Sequence, residues 1–241
     1  MGVTIAALLP LLGLSVTAGP IQLCGISDDD LPELAALART GIHDPDVMPF
    51  AVPWTDVPDD QFLQAFARYH WQTRASFSIE AWDLNLGVRF EGTLVGVQGF
   101  STKDFLVTRT GQTGSWLGLA YQGKGIGTAM RQAMCAFVFD HLGAVEVTSG
   151  AFIDNPASLG VSRKVGYQPS GIRRLQRRPG ELALNQTLVL RPEAFRRGPH
   201  PLHVEGLSAF RRSIGLDGAL TTSHQPASLE GNHGQHADRH Q

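Results

Sequence analysis

Apolar residues recur at two spacings along this chain, and the switches between them mark its elements. Over 27–41, SDDDLPELAALARTG, leucines and alanines return every three or four residues. This predicts a helix with Ser27 as its cap, aspartates at its positive end and Gly41 closing it. The next stretch, GIHDPDVMPFAVPWTDVP, is too rich in proline for helix or strand. It reads as a long loop, either packed on the body through Met48, Phe50 and Trp54 or forming a pocket wall. A second helix is predicted over 59–75, with Phe62, Phe66, Ala67 and Tyr69 near one face. The period then falls to two. Residues 82–90 and 93–101 read as a β-hairpin turning at Glu91-Gly92, and a third strand is expected around 113–118. Ile126, Met130, Ala133, Met134 and Phe137 restore the helical period over 125–141, and Gly143 ends it. A strand over 144–152, a short helix from Pro156 to Gly166 and a closing hairpin over 171–192 complete the pattern.

The ends behave differently. The apolar start MGVTIAALLPLLGLSVTAGP ends in small residues as a signal peptide does, but it has no basic residue at the front and Pro10 interrupts it. It is read as a structural start, with strands near Leu14–Val16 and Ile21–Ile26. From Gly218 the composition collapses to Ser, His, Gln, Gly and Asn, and four of the nine histidines lie there (His224, His233, His236, His240). A disordered tail is expected, not a metal site. The predicted organisation is an N-terminal extension over 1–10, one domain over 11–217 and the His-rich tail over 218–241.

Composition adds exclusions. The net charge of -2, with 42% hydrophobic and 17% charged residues, suits a globular domain. Without a basic stripe interleaved with aromatics, a nucleic-acid partner is not expected, and the apolar start is too short to span a membrane comfortably. Cys24 and Cys135 lack metal-ligand spacing and are expected to be reduced, buried thiols in a cytoplasmic protein.

The densest chemistry is AYQGKGIGTAM, Ala120 to Met130, between a predicted strand and a helix. A helix start offers unpaired N–H groups and a partial positive charge, and glycines let successive N–H groups converge on one anion. The stretch therefore suits a phosphate or pyrophosphate. Lys124 is followed by Gly125, not Ser or Thr, which excludes a P-loop; Gly123, Gly125 and Gly127 give G-x-G-x-G, one residue short of the dinucleotide fingerprint.

Gln122-Gly123-Lys124-Gly125-Ile126-Gly127 fits [Q/R]-x-x-G-x-[G/A], and NPASLGVSRKVGY places Asn155, Ser158, Ser162, Gly166 and Tyr167 in a second ordered motif about thirty residues on. On these two motifs the chain, from roughly Leu14 to Arg191, resembles the GNAT N-acetyltransferases, in particular their RimJ/RimL-like branch. The resemblance implies an α/β (α+β) fold: a mixed, mostly antiparallel sheet with a splayed strand pair and helices on both faces. It implies acetyl-CoA or another acyl-CoA as co-substrate, no metal, and transfer to an amine acceptor, either a protein N-terminus or a small molecule. Implied contacts to the acyl-CoA are Leu117, which would pair with pantetheine and polarise the thioester, Gln122, Gly123, Lys124, Gly125, Ile126, Gly127 and Thr128 around the pyrophosphate, and Asn155 and Ser158. Ser162 stands where many relatives carry a tyrosine that protonates the leaving thiolate. It is the leading acid, although serine is the poorer one.

Several choices stay open in the sequence. Glu146, Asp154 and His43 are each candidates for the general base and each has a structural reading. A succinyl-type donor would need a basic partner, for which Arg89, Arg109 and Arg163 are available. A sensor that binds acyl-CoA without transferring it would keep both motifs. The closing hairpin or the segment EGLSAFRRSIGL could join chains into a homo-oligomer; the latter could equally be a terminal helix folded on its own core.

Overall fold

The computed structural model describes residues 4–217, so the His-rich stretch expected to be disordered lies outside the described residues. In chain order, α1 (Ile5–Leu8) and a 3-10 turn (Pro10–Gly13) lead into β1 (Ser15–Ala18) and β2 (Ile21–Gly25). Then come α2 (Asp30–Arg39), a 3-10 turn at Trp54–Asp56, α3 (Asp59–Ala75), β3 (Ala81–Phe90), β4 (Thr93–Lys103), α4 (Phe105–Thr108) and β5 (Thr110–Leu117). A further 3-10 turn (Leu119–Tyr121) precedes α5 (Ile126–Asp140), β6 (Glu146–Phe152), α6 (Pro156–Val165), β7 (Gln168–Arg178), β8 (Glu181–Leu190), β9 (His203–Glu205) and α7 (Leu207–Ser213).

The strands form one nine-stranded sheet in the order β7-β8-β6-β5-β4-β3-β2-β1-β9. Every neighbouring pair is antiparallel except β5 and β6. Glu91 and Gly92 both have positive φ, 50° and 85°, the requirement of the two-residue turn that closes β3–β4 without splaying it. Apolar side chains on one face meet α5 and α7 in the larger core, which includes Val16, Leu86, Val95, Phe100, Phe137 and Phe210. The opposite face meets α2 and α3 in a smaller core around Leu34, Phe62, Phe66, Leu94 and Val97. The expected α/β sheet with helices on both faces is therefore observed.

Local expectations need three corrections. Ser27 does not cap α2. Asp29 occupies that position, and the Ser27 N–H and Oγ both donate to the Asp30 carboxylate at 2.8 and 2.7 Å. A charge-assisted bond to a carboxylate outcompetes acceptance from a backbone N–H. On α3 the inward row is Phe62, Phe66 and His70 at four-residue steps, so Tyr69, one residue off it, is 54% exposed. The third strand starts three residues early, at Thr110, and the brief α4 before it has no periodic signal to read. Of the two readings of EGLSAFRRSIGL, the terminal helix on its own core is the one observed, with Phe210 and Ile214 fully buried. At the other end Leu11, Leu14 and Val16 are core residues.

Candidate active site

The parallel pair β5–β6 is ladder-bonded only at its beginning, Thr110–Gln112 against Glu146–Thr148. Beyond that point β5 pairs with β4 alone, through Leu117↔Gly96, and β6 pairs with β8 alone, through Phe152↔Asn185. The two strands form a fork that opens toward their carboxyl ends. Gly118 N–H donates to Val95 O at 3.0 Å, so hydrogen-bonded pairs alternate along β4–β5 and the neighbouring Leu117↔Gly96 pair is not one of them. The Leu117 N–H and C=O therefore turn away from β4, into the fork.

A polar network holds the base of the fork. Arg131, 4% exposed, rises from α5 and donates to Gln98 Oε1 (3.3 Å), Ser149 Oγ on β6 (3.2 Å) and Ser115 Oγ on β5 (2.8 Å). One planar guanidinium thus spans both prongs where ladder bonds are missing. Beside it the Tyr167 hydroxyl meets Thr113 Oγ1 at 2.8 Å and Cys135 Sγ at 3.5 Å. Burial pushes the Tyr167 phenol well above its ordinary range and the Cys135 thiol up to about 11, so both stay protonated at neutral pH.

Both helix starts lie at the open end of this fork. Gly123 and Gly125 take left-handed φ of 73° and 84°, and a Cβ at either would meet nothing within 4 Å. Their glycine character serves the backbone path and the approach of something else, not packing against the protein. Thr128 and Ala129 N–H both donate to Gly125 O; among the described residues the N–H groups from Gly123 to Gly127 donate to no backbone carbonyl. Gly123, Lys124 and Gly125 are exposed, Ile126 is buried as the anchor of α5, and Gly127 and Thr128 are half-buried. Gln122 spends its amide on the frame, donating to Ile42 O and Leu117 O at 2.8 Å each. At the end of β6, Asn155 caps α6 by accepting from Ser158 N–H at 3.0 Å. Ser162 lies one turn deeper in α6, fully buried, and its Oγ has no hydrogen-bond partner among the described residues.

A model of the "Acetyltransferase (GNAT) domain" matches residues 21–168. The chain belongs to the GNAT acetyltransferase family. This GNAT domain is 30% identical over 92 residues to YdaF of Bacillus subtilis (strain 168), a candidate ribosomal N-acetyltransferase; the match covers 37% of this chain and 50% of YdaF. It thus spans about half the length of that curated relative. Mycobacterium smegmatis RimJ, solved with CoA-disulfide, superposes with a TM-score of 0.64 at 17% identity, covering 75% of this chain and 86% of RimJ. RimL, the ribosomal L7/L12 alpha-N-protein acetyltransferase solved with coenzyme A, superposes at 0.57 and 16% identity, covering 73% and 96%. These two share the fold with this chain.

In this GNAT domain the side chains considered as bases are engaged elsewhere. Glu146 pairs with Arg191 at 2.8 Å, Asp154 with Arg177 at 2.8 Å, and the His43 ring lies between Asp44 O and Thr55 Oγ1 at 2.7 and 2.8 Å. The arginines considered for an acidic acyl group are similarly placed. Arg89 pairs with Asp30, Arg109 donates to Leu142 O over the Phe105 ring, and Arg163 is exposed on α6. Neither set of residues lines the principal cavity, a space of about 400 Å³ between α3, the proline-rich loop and the β3–β4–β5 face. The loop does both things expected of it: Met48 is fully buried, and Phe50 and Trp54 form the cavity wall, with Trp54 5.8 Å from Trp116 on β5.

The β7–β8 hairpin secures that loop from outside. Arg178 donates to Asp56 at 2.7 and 3.2 Å and to Pro45 O at 3.1 Å, while Arg177 reaches Met48 O at 3.4 Å. The sequence singled out neither these arginines nor two residues of the site itself, Arg131 and Asp83. Asp83 sits on the cavity floor, and burial alone raises its carboxyl above the ordinary range. Among the described residues no group of three His, Cys, Asp or Glu could hold a metal, and no helix is long and apolar enough to cross a membrane.

Proposed function

We propose that this protein is an acyl-CoA-dependent N-acyltransferase, with acetyl-CoA as donor, acting on a primary amine in the cytoplasm. One observation carries the reading: the β5–β6 fork opens toward the free N–H groups of the glycine loop, so a backbone-binding slot and an anion cradle are continuous. The residues present fit an acyl-CoA. The cradle has room that a Cβ at Gly123 or Gly125 would enter, the Leu117 N–H faces the slot, and the buried Ser162 hydroxyl is without a partner among the described residues. The co-substrate supplies the activated acyl group as a thioester.

The chain supplies position and charge. N–H groups from Gly123 to Gly127, with the Lys124 ammonium beside them, hold the pyrophosphate, while the Thr128 N–H stays bonded to Gly125 O. The Leu117 N–H pairs with the amide-bearing arm and can polarise the thioester oxygen, while its C=O is held by Gln122. Asn155 and Ser158 order the start of α6 against that arm, and Ser162 donates to the departing sulfur. The cavity on the other face admits the amine, so both reactants meet at β5, and this orientation is the larger part of the acceleration.

Titration with acetyl-CoA and succinyl-CoA, with free-thiol release followed over a panel of amines and N-terminal peptides, tests the reading. Binding of acetyl-CoA with amine-dependent thiol release is expected. Binding without release for any amine would make the protein an acyl-CoA sensor, and failure to bind either donor would overturn the assignment of the glycine loop.

A further inference from the structure

The floor of the principal cavity is a polar row crossing three strands. Asp83 on β3 pairs in register with Ser101 on β4, and Ser101 with Gln112 on β5. All three line the cavity. Two strand spacings, about 10 Å, separate the Asp83 position from that of Gln112, after which the fork begins. Asp83 is half-buried, and no cation or hydrogen-bond donor offsets the burial of its carboxyl among the described residues. The lining contains no lysine or arginine. Its one imidazole, His70, is held neutral because burial pushes it down to about 4. The walls are aromatic: Phe50, Trp54, Phe62, Phe66, Tyr69 and Trp116.

A carboxylate set without a counter-ion in an aromatic cavity is a poor structural device, since nothing in the protein offsets its desolvation. It is a good cation receptor. Aromatic faces attract cations as well as apolar spacers, and the cavity volume is that of a small-molecule site. The carboxylate lies too far from the fork to touch an amine attacking there, so it addresses a different group of the same acceptor.

We propose that this cavity selects acceptors carrying a second positive charge at least about 10 Å from the reacting amine, joined to it by an apolar spacer, with Asp83 as the anchor for the second charge. This rests on the acyltransferase reading for the identity of the reacting end; the cation receptor at Asp83 stands on the cavity alone. Asp83 is a specificity residue in this account. It fixes where the far end of the acceptor lies, and the spacer runs across Ser101 and Gln112 beneath the aromatic wall.

Binding and turnover are measured separately, so that the two readings can fail independently. Heptylamine and heptan-1-ol share a spacer and differ by one charge. Calorimetry, supported by the fluorescence of Trp54 and Trp116, gives their dissociation constants with the full chain. The wild type is expected to bind the amine at least 10-fold more tightly, and Asp83→Asn to bring that ratio close to one. Asp83→Glu, which keeps the charge, is expected to retain a preference. Equal affinities in the wild type, binding of neither compound, or a preference that survives Asp83→Asn would each overturn the proposal. Thiol release from acetyl-CoA is then followed with 1,7-diaminoheptane, whose second amine is free to react when the first is anchored. A charge-dependent preference without thiol release from acetyl-CoA would leave the receptor in place and remove the transferase reading.

Discussion

Ser162 is the residue where activity and stability separate most cleanly. Its hydroxyl is buried and unpaired among the described residues, an arrangement that ordinarily costs about 1–3 kcal/mol. Ser162→Ala is therefore expected to melt at the same temperature as wild type or higher, while thiol release falls on the order of 10²-fold if the hydroxyl donates to the departing sulfur. Unchanged turnover would remove it from that role. The glycine loop was readable in the sequence because its free N–H groups depend on neighbours close in the chain, whereas Asn155 and Ser162 were pointed to through the family resemblance. Asp83 and Arg131 were not. Asp83 alternates with Trp82 and Leu84 as any solvent-facing strand residue would, and only register against β4 and β5 sets it on a cavity floor. Arg131 interrupts the apolar stripe of α5, yet its partners are 16 to 33 residues away on three different strands.

At the scale of an element, α3 shows how one step along a helix changes the outcome. His70, not Tyr69, joins Phe62 and Phe66 on the buried face, where desolvation, with Arg74 nearby adding to it, pushes the imidazole down to about 4 from 6.5. The unfolded chain binds this proton at higher pH than the folded one, so its contribution to stability is full above pH 6.5. That contribution declines as the pH falls through the window down to 4, by roughly 3 kcal/mol in all. Urea unfolding of wild type and His70→Gln at pH 7 and pH 4.5 is expected to show a smaller acid loss in the variant. Periodicity located α3, α5 and the β3–β4 hairpin because each repeats its pattern over several turns or pleats. It placed Tyr69 inward because aromatic rings score as apolar, whereas this ring lies at the cavity rim with its hydroxyl accepting from Asn85 Nδ2 at 3.2 Å.

For the whole molecule, closure of the larger core depends on the chain's last described helix. Phe210 on α7 is fully buried, its ring 5.7 Å from Trp82 and 6.2 Å from Phe137. Phe210→Ala is expected to cost about 3–5 kcal/mol in chemical denaturation, although the residue lies beyond the 21–168 span matched by the family model. The sheet order beyond the two local hairpins, β3–β4 and β7–β8, was accessible only through the family resemblance, since strand pairing across long separations leaves no periodic trace. The clamp between the β7–β8 hairpin and the proline-rich loop is of this long-range kind, and it sets a timetable for the newborn protein. Arg178 follows its partner Asp56 by 122 residues. At synthesis rates of about 5–20 residues per second, the loop emerges roughly 6–25 s before its latch. Through that interval Phe50 and Trp54 belong to a wall not yet fastened, and rare codons downstream of the loop would prolong their exposure to chaperones.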